Sequence, residues 1–189
     1  MPDDFQPMAD AVTSVGLPPL TLVLGGARSG KSRFAEKLIE KGGRPALYLA
    51  TAEARDEEMR ERVATHRARR GGNWTTVEEP LELVNTLLAE RTRPVLIDCV
   101  TLWLANLMGA ERDIGFEIER LLSALPRLKA PVVIVANEVG LGIVPENAMA
   151  REFRDHVGRL NQGVARLAQR VIFMAAGLPL ALKEMPAKG

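Results

Sequence analysis

Short runs of apolar residues alternate along this chain with longer stretches in which apolar positions recur every three or four residues. The runs are Leu20–Leu24, Ala46–Ala50, Val95–Ile97, Val132–Ala136 and Val171–Ala176. They are rich in Val, Ile and Leu and lack strict polar–apolar alternation, as strands covered on both faces do. Between them, Ser32–Lys41 turns Phe34 and Leu38 to one face, and Leu81–Glu90 does so with Leu83, Val84, Leu87 and Leu88. The clearest helical pattern is Pro145–Arg170, with Pro145 in the first turn and Met149, Phe153, Val157, Leu160, Val164 and Leu167 in steps of three and four. Strands alternating with helices predict an α/β domain, a mostly parallel sheet between helices. The connection from Thr51 to Glu79 is long and charged and is expected to hold a helix of its own. Met1–Pro19 carries Pro2, Pro7, Pro18 and Pro19 with Asp3, Asp4 and Asp10, and no sustained period beyond a weak turn or two at Met8–Val15. Residues 1–19 therefore read as a flexible arm and 20–189 as a single domain.

Composition narrows the function. Of 189 residues, 47% are hydrophobic and 26% charged, enough apolar material for a packed core. Lys and Arg number 25 against 24 Asp and Glu, so no whole-chain field holds nucleic acid or an anionic membrane. Aromatic residues at 4% argue against base-stacking platforms. No apolar run approaches the roughly 18 residues that span a bilayer. No basic residue precedes Arg28, so no targeting signal is legible and a cytoplasmic location is expected. The single cysteine, Cys99, rules out an internal disulfide and a multi-cysteine zinc site, and His66 and His156 leave little for a metal cage.

The strongest chemical signal is Gly25-Gly26-Ala27-Arg28-Ser29-Gly30-Lys31-Ser32, which fits G-x-x-x-x-G-K-[ST] between an expected strand and an expected helix. Small residues let backbone N–H groups curl around phosphate oxygens, and the helix points its positive end at them. Lys31 is expected to reach the β- and γ-phosphates, and the Ser32 hydroxyl to ligate Mg²⁺. Asp98, at the carboxyl end of a central strand, is the natural second magnesium partner, with a strand-end helix cap as the alternative. Glu138 ends another strand and reads either as a γ-phosphate or substrate contact or as a plain loop acid.

In the segment after the second strand, Asp56-Glu57-Glu58 begins a helix with acids at its positive end. Met59, Val63 and His66 share its apolar stripe, and Arg62, Arg67, Arg69 and Arg70 surround the histidine. One reading is a half-buried histidine beside a solvated salt-bridge face made with Glu58 and Glu61. The other is a nucleophile: an imidazole among arginines beside a nucleotide loop can attack an α-phosphate and hold the nucleotidyl group as a phosphoramidate. The guanidiniums would favour the neutral imidazole and stabilise phosphate charge.

At this level of detail the chain resembles the bifunctional adenosylcobinamide kinase / adenosylcobinamide-phosphate guanylyltransferases of cobalamin biosynthesis, over almost all of Leu20 to Lys183. The likeness rests on the phosphate loop, on Leu49-Ala50-Thr51-Ala52, and on Asp56-Glu57-Glu58-Met59 leading to His66-Arg67. It continues through Trp74, Asp98-Cys99-Val100-Thr101 before Asn106-Leu107, and Asn137-Glu138-Val139-Gly140-Leu141-Gly142-Ile143-Val144-Pro145-Glu146-Asn147. Arg151 to Gln162 and Gly177-Leu178-Pro179-Leu180 complete it. The phosphate loop alone is shared by very many proteins; the ordered combination is specific.

The resemblance implies a RecA-like P-loop NTPase fold and two reactions. Adenosylcobinamide is phosphorylated by ATP or GTP, and GMP passes from GTP to that phosphate through a histidine–GMP intermediate, placed at His66, releasing pyrophosphate. It implies nucleotide contacts at Gly25–Ser32, at Ala50, Thr51 and Ala52, at Arg67, Ala68, Arg69 and Arg70, and at Glu78 and Asp98. It also implies a corrinoid substrate and a homo-oligomer, with a trimer as one form. Two features depart from the family pattern: Gly71 stands where a proline is common after the last arginine, and the arm 1–19 extends beyond the usual start. A simple P-loop kinase, in which His66 is never modified, is the competing enzyme class. For a nucleotide switch, the N-K-x-D signature is missing, since Asn137 precedes Glu138 and Val139.

Overall fold

The structure, a computed structural model, describes residues 16–42, 45–52 and 72–184. Seven strands form one sheet: β1 (Leu20–Gly25), β2 (Ala46–Ala50), β3 (Trp74–Glu78), β4 (Val95–Asp98), β5 (Val132–Asn137), β6 (Arg170–Ala175) and β7 (Leu178–Glu184). Their order is β3-β2-β4-β5-β1-β6-β7. Every pairing is parallel except β6 with β7. The helices are α1 (Lys31–Glu40), α2 (Leu83–Ala89), α3 (Val100–Gly109), α4 (Ile114–Ala124) and α5 (Ala148–Leu167), with a 3₁₀ turn at Leu125–Arg127. The expected mostly parallel sheet between helices is therefore present.

The apolar runs became strands because both of their faces are covered. On one face Phe34, Ala35, Leu38 and Ile39 of α1 pack on Val23, Tyr48, Leu96, Val133, Val135 and Ile172. On the other, α2, α3, α4 and α5 cover Leu22, Leu49, Ile97 and Ile134. Trp103 of α3 is fully buried there, and its indole N–H donates to the Leu81 carbonyl at 2.9 Å.

Several boundaries and faces differ from expectation. The stretch Thr51–Glu79 ends in strand β3, which the charged sequence conceals; the helix expected within it falls on residues outside those described. The last helix starts at Ala148, after Pro145, because the Asn147 side chain caps it by accepting from the Ala150 N–H at 3.1 Å. Met149, expected on its apolar face, is 70% exposed, while Val157, Leu160 and Val164 are buried. The first turns of α5 thus overhang the core. Residues 1–15 of the arm lie outside the described residues; at its end, the Pro19 carbonyl accepts from the Val132 N–H at 2.9 Å.

Candidate nucleotide-binding active site

Parallel register brings the chemistry to one edge. Gly25 is level with Asn137 and Met174, and Ala50 is level with Glu78 and Asp98. The carboxyl ends of β1, β2, β3 and β4 therefore present the phosphate loop, Ala50–Ala52, Glu78 and Asp98 along one rim, where open α/β sheets bind ligands. Glu78 is exposed at the outer end of this rim. His66, Arg67, Ala68, Arg69 and Arg70 lie outside the described residues.

The loop from β1 to α1 is shaped by its small residues. A Cβ on Gly25 would stand 2.5 Å from the Met174 carbonyl oxygen and 2.7 Å from Ser29 Oγ, so only glycine fits. Gly30 has φ +93°, in the left-handed region, and Arg28 has φ +56°. Gly177, in the turn between β6 and β7, donates its N–H to the Ser29 carbonyl at 3.1 Å and so braces the loop from outside. The first turn of α1 holds no acidic residue and its N-cap, Gly30, offers no side-chain acceptor. Those N–H groups have no carbonyl within the helix to meet, which leaves them for an anion. The Ser29 hydroxyl is buried without a hydrogen-bond partner, a cost a bound phosphate would relieve.

Lys31 is folded under the loop, its Nζ donating to the Gly26 carbonyl at 2.7 Å. Burial holds its pKa below the usual 10.5, opposed in part by the charge of nearby Asp98. Burial, with Asp98 beside it, pushes the Cys99 thiol up to about 12. Cys99 is therefore neutral near pH 7 and no nucleophile, and Asp98 is the anion whose charge reaches Lys31. Asp98 itself accepts from the Tyr48 hydroxyl at 2.7 Å.

Thr51 shows how the rim is held. Its hydroxyl donates to the Cys99 carbonyl at 2.7 Å and accepts from the Cys99 N–H at 2.9 Å. Its own N–H donates to the Asp98 carbonyl at 3.2 Å, and its carbonyl accepts from Asn106 Nδ2 at 2.7 Å. Thr51 is fully buried, so within Ala50–Ala52 it ties the end of β2 to the end of β4. Asn106 also donates to the Pro80 carbonyl at 3.2 Å, bringing in the turn after β3. Glu138 donates its N–H to the Gly25 carbonyl at 3.1 Å, while its carboxylate caps the next turn by accepting from the Gly140 N–H at 2.6 Å. Tyr48 and the linking role of Asn106 were missed in the sequence. The one signal for Tyr48 is a lone phenol inside an otherwise aliphatic run.

The donor set suits magnesium. Ser32 in the first turn of α1 and Asp98 at the end of β4 offer hard oxygens, and the Asp98 charge is felt at Lys31. Among the described residues no group of three or more His, Cys, Asp or Glu could hold a metal ion. An ion here would share its coordination with nucleotide phosphates and water, as magnesium does in phosphoryl-transfer sites.

Comparison with known proteins places this site in context. Residues 21–182 match the family described as cobinamide kinase / cobinamide phosphate guanyltransferase. The chain is 48% identical to the bifunctional adenosylcobalamin biosynthesis protein CobP of Pseudomonas aeruginosa, over 87% of this chain and 98% of that one. It is 41% identical to the protein CobU of Escherichia coli, described in the same words, over 87% and 99% of the two chains. In fold it is similar to the flagellar accessory protein FlaH of Methanocaldococcus jannaschii, with TM-score 0.56 at 14% identity, covering 93% of this chain and 84% of that one. A type III secretion system ATPase gives TM-score 0.59 at 11% identity, covering 91% and 59%. The RadB recombinase gives 0.52 at 16%, covering 88% and 80%. The likeness is one of fold: this mostly parallel sheet is laid out as in that ATPase and that recombinase.

Proposed function

The chain belongs to the cobinamide kinase / cobinamide phosphate guanyltransferase family, and from that premise we propose that one triphosphate pocket serves two successive transfers. In the first, the γ-phosphoryl group of ATP or GTP passes to the hydroxyl of adenosylcobinamide. In the second, GTP gives GMP to the resulting phosphate by way of His66, yielding adenosylcobinamide-GDP and pyrophosphate. The observation that carries this reading is the loop itself: a glycine-shaped turn, the positive end of α1, Lys31 beneath and Asp98 opposite.

Backbone N–H groups of Gly26–Ser32 would hold the β- and γ-phosphates, with Lys31 leaving the Gly26 carbonyl for them. Ser32 and Asp98 would hold Mg²⁺, which when bound neutralises phosphate charge during transfer. Ala50, Ala52 and Glu78 would line the nucleotide along the rim, with the buried Thr51 holding that rim from beneath, and Arg67, Ala68, Arg69 and Arg70 would flank it beside His66. In the guanylyl step, the His66 nitrogen forms a bond to the α-phosphorus as the bond to the β-phosphate oxygen breaks. The acceptor phosphate then attacks the same phosphorus and frees the imidazole. We also infer a homo-oligomer working in the cytoplasm, supported for the assembly by Leu178, Leu180 and Leu182, which are exposed on the edge strand β7.

GTP labelled in its α-phosphate tests the histidine route. The protein should take up an acid-labile, alkali-stable label, and His66→Ala should take up none while retaining much of the kinase activity. An unlabelled wild-type protein with active kinase would favour a simple P-loop kinase instead.

A further inference from the structure

We infer that Tyr48 positions the Asp98 carboxylate for the nucleotide-bound metal; the inference rests on the proposal that Asp98 is a metal partner. Tyr48 pairs with Leu96, and Ala50 with Asp98, on the neighbouring strands β2 and β4. Alternate residues of a strand share a face, so Tyr48, Leu96 and Asp98 all lie on the α1 side of the sheet. Asp98 stands two residues, about 7 Å, further toward the rim than Tyr48. A phenol spans that interval, and its hydroxyl donates to Asp98 Oδ2 at 2.7 Å.

The phenol is itself held. Tyr48 as a whole is 4% exposed. It meets Trp74 of β3 edge-on, with centroids 6.1 Å apart and planes at 80°. The Trp74 indole N–H in turn donates to Glu40 Oε1 at 3.1 Å. Glu40 is the last residue of α1 and Lys31 its first. One helix thus carries the phosphate-binding lysine at one end and steadies the Asp98 support at the other. Magnesium demands near-ideal octahedral geometry, so the angle at which a carboxylate offers its oxygen to the ion or its water matters. A charge-assisted hydrogen bond from a locked phenol fixes that angle. Tyr48 acts through Asp98 in this arrangement and is a positioning residue.

The test uses the full chain with a non-hydrolysable GTP analogue and compares wild type, Tyr48→Phe, Asp98→Asn and the double variant. Tyr48→Phe keeps the ring and its packing on Trp74. Calorimetric titration with Mg²⁺ should show metal affinity falling about 10-fold in Tyr48→Phe. Affinity for the analogue without metal should be unchanged. Asp98→Asn should weaken the metal further, and the double variant should match Asp98→Asn alone, because Tyr48 acts through that carboxylate. Unchanged metal affinity in Tyr48→Phe beside a weakened Asp98→Asn overturns the inference alone. Additive losses in the double variant do the same. Unchanged affinity in Asp98→Asn removes the metal assignment of Asp98 and this inference with it.

Discussion

Glu90 follows α2, and its carboxylate organises the turn that leads into β4. It accepts from the backbone N–H groups of Arg91, Thr92 and Arg93, each at 3.1 Å, and from Arg93 Nε at 2.9 Å and Nη2 at 2.6 Å. Partial burial works against its charge, but the Arg93 side chain and these N–H groups outweigh it and hold the pKa at about 2, against an ordinary 4.5. A depressed carboxyl pKa stabilises the fold fully above the unfolded value, and the contribution is lost as pH falls toward the folded one. Glu90→Gln should therefore cost about 2 kcal/mol at pH 7. In urea unfolding the gap between variant and wild type should narrow from about pH 4.5 to about pH 2 and then close; a gap constant with pH would count against it. Residue identity alone revealed the phosphate loop, since glycines, Lys31 and Ser32 at fixed spacing have one well-known use. It did not reveal Tyr48, Thr51 or Asn106 as linkers, because their partners are set by strand register and lie far off in sequence.

Burial decides which elements the sequence shows. Strands β1, β2 and β5 are covered on both faces and read as nearly continuous apolar runs. The edge strands β3 (WTTVE) and β7 (LPLALKE) are largely exposed or half-buried, and the sequence left both unassigned. Helix α4 was missed as well, its stripe of Ile114, Ile118 and Leu121 broken by charge. β7 leaves Leu178, Leu180 and Leu182 at 48%, 55% and 57% exposure on an edge strand, a surface that invites pairing or packing with another chain. Sedimentation equilibrium should give a mass that is a multiple of 20.6 kDa, three chains being one such form. Leu178→Asp with Leu180→Asp should lower it. A wild-type mass of one chain would contradict the assembly.

At the scale of the whole molecule, a parallel sheet makes the site by sending the strands bearing the loop, Thr51, Glu78 and Asp98 out at the same edge. For the loop, Thr51 and Asp98 this follows from the alternation of strands and helices, because parallel strands share a carboxyl end; for Glu78 it does not, because β3 is not legible as a strand. This edge is proposed to hold one triphosphate pocket used by both transfers, with Lys31 at its floor. Lys31→Ala, assayed separately for phosphorylation of adenosylcobinamide and for GMP transfer to its phosphate, tests this most directly. Both rates should fall by about 100-fold or more. Either reaction persisting at the wild-type rate would contradict a shared pocket.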